Sequence, residues 1–187
     1  GTVSAAGRFD ADIAVRDLDT TTIQAPTATI TANGTVSALA DPAARAVTFR
    51  VEGGADGLSS DNAAIADALG RTLNLAATGS WMAGRPVTVD GARINADAIA
   101  ATFAGTVGES VLGTYSLKAD ALDPFSALAG RDLSGAIDLN ARGMVAPQGL
   151  FDLTVDATAS ALGLGNDRLD GLLGGNTRIT GTAVRQV

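Results

Sequence analysis

A strict alternation of apolar and polar residues runs through most of this chain and constrains its fold more than any other feature. In the segment 151–159, FDLTVDATA, Phe151 and Leu153 alternate with Asp152 and Thr154. A period of two places successive side chains on opposite sides of a β-strand. The segment is therefore predicted to be a strand with one apolar and one wet face.

Short helices are predicted between some of these strands. Residues 165–175, GNDRLDGLLGG, carry leucines at helical spacing and end in two glycines, which stop helices. Residues 61–70 form a second candidate, with Ser60 or Asp61 as the N-cap. Asp123-Pro124 begins a third, with the aspartate as N-cap and the proline at the first helical position. Because no helical pattern exceeds about three turns, the chain is predicted to be all-β with short helical caps.

Local turn chemistry predicts where the strands end. Asn33-Gly34 and Asp90-Gly91 are the dipeptides most typical of two-residue hairpins. Asp41-Pro42 marks a further break, and the segment 144–149, MVAPQG, is predicted to be a turn.

The strand–helix–strand unit recurs within the chain. An offset of 104 residues pairs Leu58 with Leu162, Asn62 with Asn166, Leu69 with Leu173, Gly70 with Gly174 and Thr78 with Thr182. A looser copy has Leu128-Ala129-Gly130 at its helix end. Divergent copies of one unit indicate a repeat architecture. We therefore expect residues 1–187 to be a single repeat-containing β segment of a larger protein, with units at about 46–110, 111–150 and 151–187.

The dry side of the strands needs a cover. About a dozen strands spaced about 4.8 Å apart are too many for a flat sheet, so we expect one elongated antiparallel sheet, curled like a gutter with a hydrophobic interior. Only five phenylalanines, one tryptophan and one tyrosine are present, which favours a hollow over a filled interior. A solid two-sheet sandwich remains the alternative from the pattern alone.

The apolar residues of the alternating segments are the predicted groove lining. They are Phe9, Ile13, Val15, Ile30, Val47, Phe49, Val51, Leu73, Leu75, Val87, Val89, Ile94, Ile99, Phe103, Val107, Val111, Tyr115, Leu117, Leu133, Ile137, Leu139, Phe151, Leu153, Val155 and Ile179.

Composition removes several classes of function. The chain has no cysteine and no histidine, which excludes thiolate–zinc sites, disulfides and imidazole chemistry within it. Its net charge of −7 disfavours a nucleic-acid partner. The aspartate pairs Asp10/Asp12 and Asp152/Asp156 are evenly spaced on wet strand faces, as solvation requires, and nothing local would desolvate them as a catalytic cleft does. We expect no enzyme activity, no catalytic residue and no cofactor.

One motif suggests a metal. Residues 163–169, GLGNDRL, are similar to the calcium-binding nonapeptide of RTX β-rolls. Those sites need tandem copies, and here there is one, so the alternative is a loop in which Asn166 or Asp167 caps the following helix. We predict no metal site.

Several longer phrases resemble a known family. ALAGRDLSGAIDLNARG, DALGRTLNLAATGSW, ATFAGTVGE and GNDRLDGLLGGNTRITGTA look like repeat phrases of TamB, the translocation and assembly module subunit, in its alphaproteobacterial form. The TamB family belongs to the AsmA-like bridge proteins of Gram-negative envelopes. The resemblance runs from about Ala46 onward.

The resemblance implies a function as well as a fold. It implies an elongated β-taco in the periplasm, carried by a parent protein anchored in the inner membrane. Phospholipid acyl chains would be its cargo on the way to the outer membrane, and a TamA-type outer-membrane barrel would be its partner through regions outside this chain. It also implies support of outer-membrane protein assembly. The alternative from the pattern is a solid β-sandwich or β-solenoid piece of an extracellular adhesin or autotransporter passenger.

Overall fold

The alternating segments form ten strands of one antiparallel sheet in a computed structural model that describes residues 6–20 and 22–185. The strands are β1 Gly7–Asp19, β2 Gln24–Ser37, β3 Ala46–Asp56, β4 Thr72–Met82, β5 Val87–Ala96, β6 Ala100–Val107, β7 Val111–Ala119, β8 Ser134–Ala146, β9 Leu150–Gly163 and β10 Asn176–Arg185. The helices are α1 Ala63–Leu69, α2 Ser126–Ala129 and α3 Asp167–Leu173, with 3₁₀ turns at Asp123–Phe125 and Pro147–Gly149. The predicted all-β class with short helical caps is confirmed.

The ten strands follow one another as a simple meander. Each strand pairs with the next along the chain, and every described pairing is antiparallel. A two-sheet sandwich and a parallel solenoid both have other topologies, so the predicted single sheet is confirmed and the filled alternatives do not describe this chain.

All three helices lie at the same end of the sheet. They connect β3 to β4, β7 to β8 and β9 to β10, and in a meander every connection from an odd to an even strand lies at one end. Helix α1 contacts both α2 and the 3₁₀ turn Asp123–Phe125. Their two connections are four strand spacings apart, about 19 Å in a flat sheet. Because α1 and α2 nevertheless touch, the sheet must be curled. The curl brings the helices together at this end of the sheet.

Two of the three helices, α1 and α3, begin after an asparagine cap. Asn62 precedes α1 and its side chain accepts a hydrogen bond from the Ala64 amide at 3.0 Å, so the predicted N-caps Ser60 and Asp61 were wrong. The Ser60 hydroxyl instead donates to the Thr22 carbonyl at 2.6 Å, which ties α1 to the β1–β2 connection. Asp123 was also wrong as an N-cap, because it is the first residue of the 3₁₀ turn.

Both predicted two-residue hairpins were wrong. Asn33-Gly34 lies inside β2, where Asn33 pairs with Asp10 on β1 and Arg50 on β3, and the turn comes later, at residues 38–45. Asp90-Gly91 lies inside β5, where the register shifts as at a β-bulge. The predicted turns at Asp41-Pro42 and in the segment 144–149 are present.

The repeat offset carries over into the structure. Helix α3 begins and ends 104 residues after α1, and the two N-caps, Asn62 and Asn166, are related by the same offset. Leu58 and Leu162, which precede the two helices, are the largest buried residues of the described chain. Gly130 has a left-handed conformation at the end of α2, as the looser copy predicts. The helix and its asparagine cap therefore recur at the offset of 104 residues, whereas Gly70 and Gly174 at the helix ends differ in conformation.

The core is small and made chiefly of alanine. Besides the two leucines, the buried hydrophobic residues are Ala25, Ala68, Ala119, Ala141, Ala157 and Ala159. The accessible surface is 11799 Å². A compact monomer of 18.5 kDa would expose about 8,200 Å². The excess agrees with an open sheet, whose inner side is lined and not filled.

Candidate apolar groove on the sheet

The strand register gathers the predicted groove residues on one face of the sheet, which we call the apolar face. All but Ile99 and Leu133 lie in strands and share this face by alternation. One row crosses the sheet from edge to edge through Ile13, Ile30, Gly53, Leu75, Ile94, Ala101, Leu117, Leu139, Ala157 and Ile179. The apolar face is thus continuous from β1 to β10.

The two exceptions lie in connections that precede strands. The Ile99 carbonyl accepts a hydrogen bond from the Ala96 amide at 2.8 Å and so closes the β5–β6 turn. The Leu133 amide donates to the Ser126 hydroxyl at 2.9 Å, and β8 begins one residue later. Each was predicted to lie in a strand, and each strand begins one residue later than predicted.

Some members of the apolar face were missed. Val36, Trp81 and Val145 belong to it, because they pair with apolar-face residues of the neighbouring strands. The alternation along the strand could have identified them. Trp81, for example, is an even number of residues away from Leu73 and Leu75 on β4 and therefore shares their face.

Three phenylalanine rings lie against glycines on the neighbouring strands. The pairs are Phe9 with Gly34, Phe49 with Gly79, and Phe103 with Gly113. In each, a β-carbon built on the glycine would lie 2.7 Å from a ring carbon, closer than real contacts allow. The rings therefore occupy the space that glycine side chains leave empty. Gly34 also lies against the Thr48 backbone carbonyl, so the ring and the neighbouring strand together leave no room for a side chain there, and Gly34 does not make a turn.

An aromatic pair lies near the centre of the apolar face. The rings of Phe103 and Tyr115, on β6 and β7, have centroids 5.2 Å apart. The Tyr115 hydroxyl donates to the Val111 carbonyl at 2.9 Å, which satisfies its polar atom. Burial raises the pKa of Tyr115 above its ordinary value of 10.0. The surroundings of this phenol are apolar.

Large side chains on the apolar face remain accessible to solvent. Ile13 is 55% exposed, Ile94 is 48% exposed and Ile179 is 50% exposed. Two of these lie on the edge strands and the third lies mid-sheet. Alanines of the same face, such as Ala157 and Ala159 on β9, are buried between larger neighbours, while Thr158 between them is exposed. The apolar face is lined continuously but remains open to a ligand.

The opposite face carries most of the charged side chains of the strands, together with exposed Leu112 and Met144, and three ion pairs involve these charges among the described residues. Arg50 contacts Glu52 at 2.5 Å, and Lys118 contacts Asp120 at 2.8 Å. The hydrogen bond to Asp120 raises the pKa of Lys118. Exposed pairs of this kind contribute little to stability, so the polar face mainly provides solubility.

A depression with a volume of about 580 Å³ extends over β3 to β8. Its lining includes a row of polar-face side chains, namely Arg50, Glu52, Thr78, Arg93, Thr102, Ser116 and Asn140. Several of these groups already bond to one another, as Thr102 does to Ser116 at 2.6 Å and Arg50 does to Glu52. The Asn140 amide also donates to Asp138 at 3.1 Å, so five of these seven side chains already have a polar partner.

The calcium-like segment works as a helix start. The Asn166 side chain accepts hydrogen bonds from the amides of Arg168 and Leu169 at 3.1 and 3.4 Å. The Asp170 carboxylate accepts from the amides of Leu164 and Asn166 at 2.6 and 3.1 Å. The predicted capping role of Asn166 is confirmed. Within residues 6–20 and 22–185, no cluster of three or more metal-ligating side chains is present.

Comparisons with known proteins add no identity. No family model, no curated protein and no solved structure matches the chain. Among the described residues, no helix has the length and apolar character needed to cross a membrane.

Proposed function

We propose that this chain is a non-enzymatic segment of a TamB-like bridge protein, and that its apolar face holds phospholipid acyl chains. The observation that carries the proposal is the row from Ile13 to Ile179, which is apolar across all ten strands yet half exposed at both edges. Exposed apolar surface of this extent marks a binding surface.

The dimensions of the apolar face suit acyl chains. Ten strands give nine spacings, about 43 Å from β1 to β10. One leaflet of the hydrocarbon core of a bilayer is about 15 Å thick, so the face is longer than a single acyl chain. Rings that lie against glycines, such as that of Phe49 against Gly79, keep large side chains from projecting across the path.

The free energy of transferring an acyl chain to this face favours passage of lipid over tight binding. Each CH₂ group moved from water to an apolar surface gains about 0.8 kcal/mol. Relative to a bilayer this gain nearly vanishes, because lipid tails are apolar already. The apolar face therefore shields a chain from water without trapping it.

The proposed setting is the periplasm of a Gram-negative bacterium. There the parent protein, anchored in the inner membrane, carries phospholipid towards the outer membrane and supports outer-membrane protein assembly, with a TamA-type barrel contacted outside this chain. The phrases shared with the TamB family support this part of the proposal.

The single tryptophan offers a direct test. Trp81 lies on the apolar face opposite Val47, whereas its neighbour Ser80 lies on the polar face opposite Thr48. Phospholipid with brominated acyl chains should quench the fluorescence of the native chain. The matched control is Trp81→Phe combined with Ser80→Trp, which moves the fluorophore across the sheet and should abolish quenching. Equal quenching of both proteins, or of neither, would contradict the proposal.

A further inference from the structure

The connections at the two ends of the strands differ in size. At the end opposite the helices, which we call the open rim, the strands are joined by short connections without an α-helix: residues 38–45, 83–86, 108–110 and 147–149. At the helical rim, residues 57–71 and 120–133 carry α1 and α2. We propose that these two connections cover the apolar face along the helical rim, so that acyl chains reach this face over the open rim. The part of this inference that concerns lipid rests on the proposed function.

The connections of the helical rim are joined to one another. Helix α1 contacts α2 and the 3₁₀ turn Asp123–Phe125. Between them lies the β5–β6 turn, residues 97–99, whose Asp97 carboxylate accepts hydrogen bonds from the Arg71 amide at 2.6 Å and from the Thr72 hydroxyl. Three neighbouring connections therefore form one continuous layer beside strands β3 to β8. We call this layer, residues 57–71, 97–99 and 120–133, the helical cover.

Burial is concentrated at the same rim. Among the described hydrophobic residues that are buried, Leu58 and Ala68 belong to the helical cover itself. Ala25, Ala119 and Leu162 lie at the ends of strands that meet this rim. The apolar residues at the open-rim ends of the strands are all partly or fully exposed in the described chain. The apolar face is therefore accessible at one rim and shielded at the other.

Strand β7 shows which side of the sheet is covered. Ala119, on the apolar face at its helical-rim end, is 2% exposed. Val107, which pairs with Val111 at the open-rim end, is 36% exposed. Strand β6 begins opposite Lys118, so no residue of β6 pairs with Ala119 on that side. Its burial requires atoms from outside the strands, and the 120–133 part of the helical cover begins at the next residue. The helical cover therefore lies on the apolar side.

The two rims differ in what an acyl chain would have to displace. At the helical rim, the contacts of α1 with α2 and the hydrogen bonds of Asp97 would have to break before a chain could enter. At the open rim the short turns leave Val107 and Trp81 accessible, and exposed apolar surface is where an apolar ligand binds. Entry over the open rim therefore needs no local unfolding.

The single tryptophan permits a test along one strand. Trp81 lies at the open-rim end of β4, and Leu73 lies on the same face at its helical-rim end. Trp81→Phe combined with Leu73→Trp therefore moves the fluorophore from one rim to the other. Without lipid, acrylamide should quench the native chain several-fold more efficiently than this variant. Phospholipid with brominated acyl chains should quench the two proteins in the same order.

The two quenchers separate this inference from the proposed function. Equal acrylamide quenching of the two proteins would overturn the inference, because no lipid is present in that measurement. Equal quenching of both by brominated phospholipid would also overturn it. A native chain that acrylamide quenches more strongly than the variant, but that brominated phospholipid does not quench, would support the helical cover and contradict the proposed function.

Cysteine labelling is a second measurement, which does not depend on the tryptophan variant. Ala119→Cys and Val111→Cys lie at opposite ends of β7, and the chain has no other cysteine. A water-soluble maleimide should label Val111→Cys several-fold faster in the folded protein and both variants equally in urea. Adding Phe125→Ala, which truncates a half-buried side chain of the helical cover, should speed the labelling of Ala119→Cys. Leu128→Ala is the matched control, since that side chain on α2 is 54% exposed, and it should have no effect.

Two labelling results would contradict the helical cover. One is an equal rate for Ala119→Cys and Val111→Cys in the folded protein. The other is a rate for Ala119→Cys that Phe125→Ala and Leu128→Ala change to the same extent. Circular dichroism of each variant confirms that the sheet is intact before labelling.

Discussion

The Phe49 ring lies against Gly79, its direct partner across β3 and β4. A β-carbon on Gly79 would lie closest to the Thr88 backbone carbonyl on β5, and 2.7 Å from the ring. Gly79 is buried although it has no side chain, because the aromatic ring covers it. The smooth apolar face depends on such pairs.

Gly79→Ala should therefore destabilise the chain. The new methyl group has to displace the Phe49 ring and the neighbouring backbone, and overpacking of this kind costs about 1–3 kcal/mol. Urea unfolding followed by circular dichroism measures the loss.

Gly181→Ala is the matched control for this prediction. Gly181 lies on edge strand β10, and a β-carbon there would meet no described atom within 4 Å. Its substitution should change the free energy of unfolding by less than about 0.5 kcal/mol. Equal effects at the two glycines would show that crowding by the Phe49 ring and the Thr88 carbonyl does not require a glycine at position 79.

Asn166→Ala should destabilise the chain by about 1 kcal/mol, because its side chain satisfies two amides at the start of α3. The loss should be the same with calcium and with a chelator. Thermal melting under both conditions measures it. A melting temperature that rises with calcium in the native chain, and no longer does so in Asp167→Ala, would instead support the metal interpretation of this segment.

The ion pair between Asp156 and Arg178 should make β10 sensitive to acid. The hydrogen bonds from the Arg178 guanidinium lower the pKa of Asp156 below its ordinary value of 3.8. A lowered folded-state pKa means that the stabilisation is complete above about pH 3.8 and is lost as the pH falls through the folded-state value. The native chain should melt above Asp156→Asn at neutral pH, and the gap should shrink below pH 3.8. A gap that is constant down to pH 2 would contradict the assignment.

Tyr115 should ionise at a higher pH than a free phenol. It is the only tyrosine of the chain, so its absorbance titration has one source. The midpoint is expected above 10.0, because burial on the apolar face disfavours the phenolate. Tyr115→Phe supplies the blank. A midpoint at or below 10.0 would mean that water reaches the centre of the apolar face freely.

Local patterns predicted the strands and the start of one of the three helices. The alternation at Phe151 and Leu153 is a property of neighbouring residues, and the strand it predicts is present as β9. Asn166 was identified as a cap for the same reason, because capping involves the next turn of chain only. The cap of α1 was missed by one residue, since Ser60, Asp61 and Asn62 are all good caps and tertiary bonds decide between them.

What sequence reasoning missed depends on residues far apart in the chain. Asn33-Gly34 has the chemistry of a hairpin turn, but Gly34 is crowded by the Phe9 ring and the Thr48 carbonyl, which belong to the two neighbouring strands. The contact between α1 and α2 has no local signature either, since it arises from the curl of the four strands between them. The alternation predicted which residues share a face, whereas the shape of the sheet follows from non-local contacts.

Whether the apolar face carries lipid is tested most directly by native mass spectrometry of the chain purified from a Gram-negative periplasm, with lipid extraction alongside. The account predicts substoichiometric, mixed phospholipid that is lost in Phe103→Asp and in Leu153→Asp and kept in Asp152→Asn, whose side chain is on the polar face. Circular dichroism confirms that each variant is folded. A native chain with no bound or extractable lipid, or folded apolar-face variants that carry as much lipid as the native chain, would contradict the account.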